Sequence, residues 1–302
     1  YNATHTVTVY YVNDSDLTND AWATAVGNDA NDGLTPATPK ATVQAILAAY
    51  DLGPGDVVRI DTGSYLLTSD ITITADDGGS SEGVVTFEAS PYGVTIDRND
   101  TSSGVVWYIR GPYVTLTTAT STRYPAVAQH WMGATRGRTG VGIEADYVSV
   151  SRVDAYANGA FGINVHDPDR HDVTVENCLS RGTIDTAYGA GIFLDTRNSA
   201  TLRNNIVYGS SKYGIYMCSE STNTVLENNI VWASGSGCYA VYAFGYGNSP
   251  ISDYNNLYAT SGASVGCASS TARASLADWQ TATGQDAHSI SVDPLFADPA
   301  AG

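Results

Sequence analysis

The sequence predicts an all-β chain wound as a β-solenoid, and three observations carry that expectation. The segments Val175-Glu176-Asn177-Cys178-Leu179, Leu202-Arg203-Asn204-Asn205-Ile206-Val207, Leu226-Glu227-Asn228-Asn229-Ile230-Val231 and Asp253-Tyr254-Asn255-Asn256-Leu257 repeat, their first asparagines lying 27, 24 and 27 residues apart. That period is long enough for one coil of three short strands separated by turns, whose strands stack on those of the next coil into parallel sheets. Second, Gly142-Ile143-Glu144, Gly162-Ile163-Asn164, Gly191-Ile192-Phe193 and Gly214-Ile215-Tyr216, with the variant Ala240-Val241-Tyr242, recur between the asparagine segments. Each reads as a small corner residue, an inward aliphatic and an outward polar or aromatic residue, the two-residue alternation of a strand. Third, Val57–Ile60, Ile71–Ile73, 84–87, 94–96, 105–108 and 114–116 read as strands of earlier, less regular coils.

Taken in order, residues 1–50 are expected to form an N-terminal cap region, 51–265 the coils and 266–302 a C-terminal cap region of one domain. A solenoid extends its core by stacking, so a chain of 302 residues needs no second core. Lys40 to Tyr50 follows Pro39 and spaces Val43, Ile46 and Leu47 on one face, which predicts a helix over the open first coil, ended by Gly53-Pro54-Gly55. An uncovered coil would expose apolar side chains and unpaired strand edges. Leu276-Ala277-Asp278-Trp279 and Asp293-Pro294-Leu295-Phe296 are expected to cover the other end.

The formal charge is −17, and Lys40 and Lys212 are the only lysines. No basic track exists to neutralise phosphates, so nucleic acid is excluded as a partner. No apolar run reaches membrane-spanning length. Turns rich in Asn, Thr, Ser and Gly point to a secreted or extracellular-surface protein, and a chain opening at Tyr1 reads as a processed or excised part of something larger, with self-association into a larger assembly a further expectation. Cys178, Cys218, Cys238 and Cys267 lack close metal-binding spacing; one bridge among the last three and a buried thiol at Cys178 fit the pattern.

Asn177, Asn204, Asn228 and Asn255 are expected to stack at one corner as a hydrogen-bonded ladder. Asn28-Asp29-Ala30-Asn31-Asp32-Gly33 reads as Asx turns or as an oxygen-rich cation loop. The densest chemistry is His166-Asp167-Pro168-Asp169-Arg170-His171-Asp172, at a sheet edge whose later coils bring Asp195, Arg197 and Lys212. His166, Asp167, Asp169, Arg170, Asp195 and Arg197 are the candidate catalytic residues. Glu144, Asn164, Phe193, Tyr216 and Tyr242 are expected to form one outward column flanked by His166, Asp195, Cys218 and Phe244, and with Lys212 they are the candidate substrate contacts. Asp167, Asp169 and Asp195 are the candidate calcium ligands. Aromatic faces beside charged groups along a groove suit an extended polysaccharide. A lyase or epimerase would neutralise a uronate and remove its acidic proton, whereas a hydrolase would use paired carboxylates such as Asp167 or Asp169 with Asp195. A noncatalytic adhesive or structural solenoid is the third expectation.

The repeated x-Asn-Asn-Ile-Val and Gly-Ile-Tyr segments resemble the right-handed parallel β-helix proteins of the pectate-lyase-like superfamily over about residues 50–265. Gly27-Asn28-Asp29-Ala30-Asn31-Asp32-Gly33 with Thr38-Pro39-Lys40 is similar to the opening of secreted members. The resemblance implies a right-handed parallel β-helix and a range of activities that includes lyases, hydrolases, epimerases and adhesins. Residues 162–177 are also similar to the Asp-Pro-His-Glu segment of mannuronan C5-epimerases: Asp167 and Pro168 match, Asp169 stands at the histidine, Arg170 at the glutamate, and Asn164 near the tyrosine.

Overall fold

The computed structural model describes residues 5–120, 131–167, 169–195, 197–218, 221, 223–243 and 250–296. Nine parallel strands form the first face: Val9–Val12, Val57–Ile60, Val85–Ala89, Val114–Thr118, Val148–Ser151, Val173–Glu176, Ala200–Arg203, Val225–Glu227 and Ile251–Asp253, in that spatial order. The second face stacks Gly63–Leu66, Val153–Tyr156, Leu179–Arg181, Ile206–Tyr208, Ile230–Ser234 and Asn256–Thr260; the third stacks Ile71–Ile73, Phe161–Val165, Ala190–Leu194, Tyr213–Met217, Tyr239–Ala243 and Ser264–Ala268. Two long strands, Val94–Ile109 and Met132–Ile143, bend through both of these faces and join them. The result is a parallel β-helix.

In-register stacking explains the Gly-Ile repeat. Ile163, Ile192, Ile215 and Val241 are register partners and are fully or almost fully buried. The preceding glycine also faces the core: a Cβ at Gly191 or Gly214 would collide with Val207 or Val231 of the second face. Small residues therefore let the third face approach the second.

The asparagine ladder forms one residue later than expected in three coils. Asn177, Asn204 and Asn228 take left-handed backbone at φ 53°, 55° and 55°, as do Arg152 and Tyr254 at the same corner. The inward residue is the next one, giving the column Cys178, Asn205, Asn229 and Asn255. Asn229 Oδ1 accepts the backbone N–H of Asn205 at 3.0 Å, and Asn255 Oδ1 accepts that of Asn229 at 2.9 Å. Their amide nitrogens donate to the carbonyls of Leu202 and Leu226 at 2.8 and 3.0 Å. In Asn204-Asn205 and Asn228-Asn229 the first asparagine takes the turn and the second satisfies the buried backbone, whereas at Tyr254-Asn255 the tyrosine takes the turn. Only Asn255 of the expected four lies in the ladder.

Both ends are covered. The N-terminal helix is Val43–Ala49, shorter than expected because Lys40 pairs with Val12 as a β-bridge and Thr42 becomes the cap, accepting the N–H of Ala45 at 3.1 Å. The Asn28–Gly33 segment is structural: Asp29 accepts the N–H groups of Ala41 and Thr42, and the Lys40 ammonium donates to the carbonyls of Asp29 and Asn31 at 2.9 and 2.6 Å. At the far end a helix, Leu276–Thr283, buries Trp279 completely over Gly266, where any Cβ would collide with the indole. Trp279 Nε1 donates to Asp286 at 2.7 Å, and Asp286 also accepts from Ser252, Asn255 and Ser289. The cap and the end of the ladder thus share one buried carboxylate.

The loop between the first strand and the helix is anchored by Asp61, 1% exposed, which accepts the N–H groups of Ala21, Trp22 and Ala23 at 2.6, 2.8 and 2.6 Å. Beside it, Asn13 donates to Asp20 at 2.7 Å. Burial, with Asp61, Asp14 and Asp16 nearby, pushes the Asp20 carboxyl up to about 6 from its ordinary 3.8, against the lowering effect of Asn13.

Two stability tests follow from these contacts. Asn205→Ala strips partners from Cys178 N–H and the Val175 carbonyl and is expected to cost ~2 kcal/mol in urea unfolding, whereas Asn204→Gly at the left-handed corner costs less than ~0.5 kcal/mol. Asp20 holds its proton more tightly folded than unfolded, so its contribution is full below its ordinary value and lost as pH rises through about 6. Between pH 4 and 7 the wild type should lose melting temperature relative to Asp20→Asn; parallel melting curves would overturn that assignment.

Candidate functional site

The third face carries two aligned rows. One runs Tyr108, Gly142, Asn164, Phe193, Tyr216, Tyr242 and Cys267. The other follows the strand ends as Arg110, Glu144, His166, Asp195 and Cys218, aligned by N–H donation from Glu144 to Ile109, His166 to Ile143, Asp195 to Val165 and Cys218 to Leu194 at 2.7 to 2.9 Å. Glu144 therefore belongs to the polar row and not to the column expected for it. Val141 is the register partner of Ile163, which makes Gly140 and not Gly142 the counterpart of Gly162. The chain holds Gly140-Val141-Gly142 there, two glycines that fit the repeat equally well in sequence, two residues apart.

The aromatic members are a continuous surface. Phe193 stacks on Phe161 with centroids 4.6 Å apart and meets Tyr216 edge-on at 5.0 Å; Tyr216 meets Tyr242 at 5.1 Å and Tyr213 at 4.6 Å; Tyr239 meets Tyr242 at 5.0 Å. Burial raises the tyrosine hydroxyls, Tyr242 to about 12, and Tyr216 is raised for the same reason with Cys218 beside it. At neutral pH they are neutral donors and acceptors against hydroxylated ligands. Asn164 lies in this row but is only 4% exposed, and its Oδ1 has no hydrogen-bond partner.

Glu144 organises the polar row. It accepts from the Tyr108 hydroxyl, pairs with Arg110 Nε at 3.1 Å and faces His166 Nδ1 at 3.0 Å. Its side chain is 13% exposed, whereas those of His166 and Arg110 are 52% and 56% exposed. Arg110 also stands over the Tyr108 ring at 5.5 Å. Burial, and then the hydrogen bond to Glu144, push the Tyr108 hydroxyl up to about 12. A carboxylate gripping one histidine nitrogen leaves the other facing solvent.

The acidic turn is a separate group of ion pairs. Arg170 lies 3.7 Å from Asp146 and 3.9 Å from Asp167, and Arg197 pairs with Asp169 through two nitrogens at 2.8 and 3.1 Å. Asp167 and Asp169 both have left-handed backbone, at φ 69° and 67°, and Asn198 holds the turn by accepting the Arg170 N–H and donating to the Val165 carbonyl. Asp195 lies in the polar row, next to His166. Among the described residues no three His, Cys, Asp or Glu side chains converge enough to hold a metal ion, so Asp167, Asp169 and Asp195 are not brought together as a ligand set. Lys212 precedes Tyr213–Met217, at the edge opposite Cys218, about 20 Å of strand away from the polar row. Phe244 and Pro168 lie outside the described residues.

Tyr108, Arg110, Phe161, Tyr213 and Tyr239 were absent from the sequence-based site. Tyr108-Ile109-Arg110 does match Gly142-Ile143-Glu144 in pattern, but 34 residues separate the two, a spacing outside the later period. Tyr213 and Tyr239 precede the glycine or alanine of the repeat and lie outside its three-residue pattern.

A family model described as the right handed beta helix region matches residues 82–257, more than half of the chain. The chain belongs to the right-handed β-helix family. No curated protein sequence matches it. Among solved structures, pectate lyase Pel9A is similar with a TM-score of 0.61 at 14% identity, over 84% of this chain and 64% of that chain. A GH136 lacto-N-biosidase from Eubacterium ramulus aligns at 14% identity over 85% of this chain and 62% of that one, with a TM-score of 0.38, too low to support an argument. This chain thus spans less than two thirds of either protein, and the likeness to the lyase is one of fold. The epimerase resemblance of residues 162–177 gains no support from these comparisons, and Asp169, at the histidine position, is bound to Arg197.

All four cysteines are free thiols, in contrast to the bridge expected among Cys218, Cys238 and Cys267. Cys178, Cys238 and Cys267 are buried and Cys218 is partly exposed; burial pushes the Cys178 thiol up to about 12. Iodoacetamide without reductant is expected to label Cys218 first in the native protein and all four in denaturant, read by mass spectrometry. A pair of unlabelled cysteines in denaturant would restore the disulfide.

Proposed function

We propose that the third face binds an extended polysaccharide and that Glu144, His166, Arg110 and Tyr108 cleave an acidic one by β-elimination. The observation that carries this reading is a half-exposed histidine, held by a largely buried carboxylate, directly beside a continuous aromatic surface. Sugar rings pack on Phe193, Tyr216 and Tyr242 while their hydroxyls meet the phenolic oxygens. Arg110, tethered through Nε, offers its terminal nitrogens to the substrate carboxylate and makes the adjacent C–H more acidic. His166 Nε2 takes that proton, the electron pair forms the C=C bond, and the glycosidic C–O bond on the next carbon breaks, its oxygen protonated by water. Arg170 and Arg197 are the weaker candidates, because Asp146 and Asp169 already engage them.

The net charge of −17 opposes an acidic polymer. We propose calcium as a bridge between such a polymer and the acidic turn, Asp167 first, with no chemical step routed through it. The same charge favours the second reading, a noncatalytic adhesive or structural solenoid that uses the aromatic surface alone. Glu144 and Asp195 flank His166 two strand spacings apart, about 9.5 Å, near the upper end of the separation used by inverting hydrolases. That spacing supports a hydrolase as the third reading. Each of these places the protein outside the cell, where glycan polymers lie, and a surface fibre would add contacts between copies.

The deciding experiment incubates the protein with alginate, pectate, other uronates and neutral glycans, with calcium and with chelator, following unsaturated-product absorbance and reducing ends. Absorbance that falls at least ~100-fold in His166→Ala, and about tenfold in glycan affinity in Tyr216→Ala, is the expected result. Reducing ends without absorbance would replace the lyase with a hydrolase. Glycan binding with neither product would establish the noncatalytic reading.

A further inference from the structure

Outside the third face, a cavity of about 360 Å³ opens between the N-terminal loop and the outer side of the first face, lined by Asp20, Trp22, Arg59, Glu88, Pro91 and Tyr92 among others. We propose that this cavity is a second saccharide site, which takes a single neutral sugar ring independently of the groove.

Its walls are built rather than incidental. The three amides held by Asp61 fix the backbone at Trp22, and the Arg59 guanidinium lies over the indole at 5.1 Å, locking the side chain against the sheet. Arg59 and Glu88 are register partners on adjacent strands and touch through one contact, Nε to Oε2 at 3.4 Å. The terminal guanidinium nitrogens have no hydrogen-bond partner among the described residues. On the loop side, Asp20 lines the cavity, and the fully buried Asn13 donates to one oxygen of its carboxylate at 2.7 Å.

The chemistry selects the ligand class. Two acceptor carboxylates and a guanidinium with open donors match the alternating donors and acceptors of a polyol, and Trp22, Tyr92 and Pro91 match the apolar face of a pyranose ring. Asp20 and Glu88 outnumber Arg59, which disfavours phosphates and uronates. The volume falls in the range of small-molecule sites and suits one ring rather than a polymer. The site stands on a different face from Phe193 and His166, so its occupation does not depend on how the groove acts.

The test is calorimetric titration with glucose, galactose, mannose and N-acetylglucosamine, with galacturonate as the anionic comparison. At least one neutral sugar is expected to bind saturably, with affinity reduced tenfold or more in Trp22→Ala and in Glu88→Gln, and unchanged in Phe193→Ala. Glu88→Gln keeps the shape of the pocket, so a loop disturbed by loss of the indole does not decide the result alone. Absence of binding by all four neutral sugars, binding unaffected by both pocket variants, or tighter binding of galacturonate would each overturn the proposal. Binding lost in Phe193→Ala would move it to the third face.

Discussion

The structure depends on one corner, where each coil turns from the first face to the second. From Arg152 onward a left-handed residue turns the chain and the next side chain enters the core, where Asn205, Asn229 and Asn255 satisfy backbone groups of neighbouring coils that water cannot reach. Because each amide bonds up and down the stack, a slip in one coil would break contacts in two others. Register is therefore transmitted along the solenoid. The column ends at Asp286, which also holds Trp279, so the far cap closes the apolar core and the polar ladder together.

Register at that corner fixes what meets on the third face. Once Ile163, Ile192, Ile215 and Val241 are stacked inward, the residue after each is carried outward, and its neighbour at the strand end joins the polar row. The aromatic surface and the Glu144–His166 pair are two consequences of one alignment. A helix or loop scaffold would have to fix each of these side chains separately; here the 4.7–4.9 Å strand spacing does it repeatedly.

Electrostatics divides the surface by use. In a chain of net charge −17, arginines are placed against carboxylates: Arg181 with Asp154, Arg203 with Glu176, Arg197 with Asp169. These pairs lower self-repulsion and contribute little net stability where exposed. Arg110 differs because the carboxylate it contacts is shared with Tyr108 and His166, and because its side chain is more than half exposed. Arg59 differs in the same sense on the first face, with a single long contact to Glu88. The two proposed ligand sites coincide with arginines whose donors exceed their acceptors.

The sequence by itself determined the solenoid, its coil length, the capping helix and the residue types on the third face, because a repeated period of small, apolar and polar positions has one economical way to bury its apolar members. It also placed Phe193, Tyr216 and Tyr242 in one row, since regular spacing preserves their alignment. Which glycine begins the coil at 140–144, which asparagine of a doublet turns inward, and which carboxylate reaches which cation were decided by the tertiary structure. Adjacent identical residues are degenerate in one dimension, and only the packing of neighbouring coils chooses between Gly140 and Gly142 or between Asn204 and Asn205. The Glu144–His166 pair and the Trp22 cavity join residues from different turns of the chain, a proximity that local pattern does not encode and coil stacking supplies.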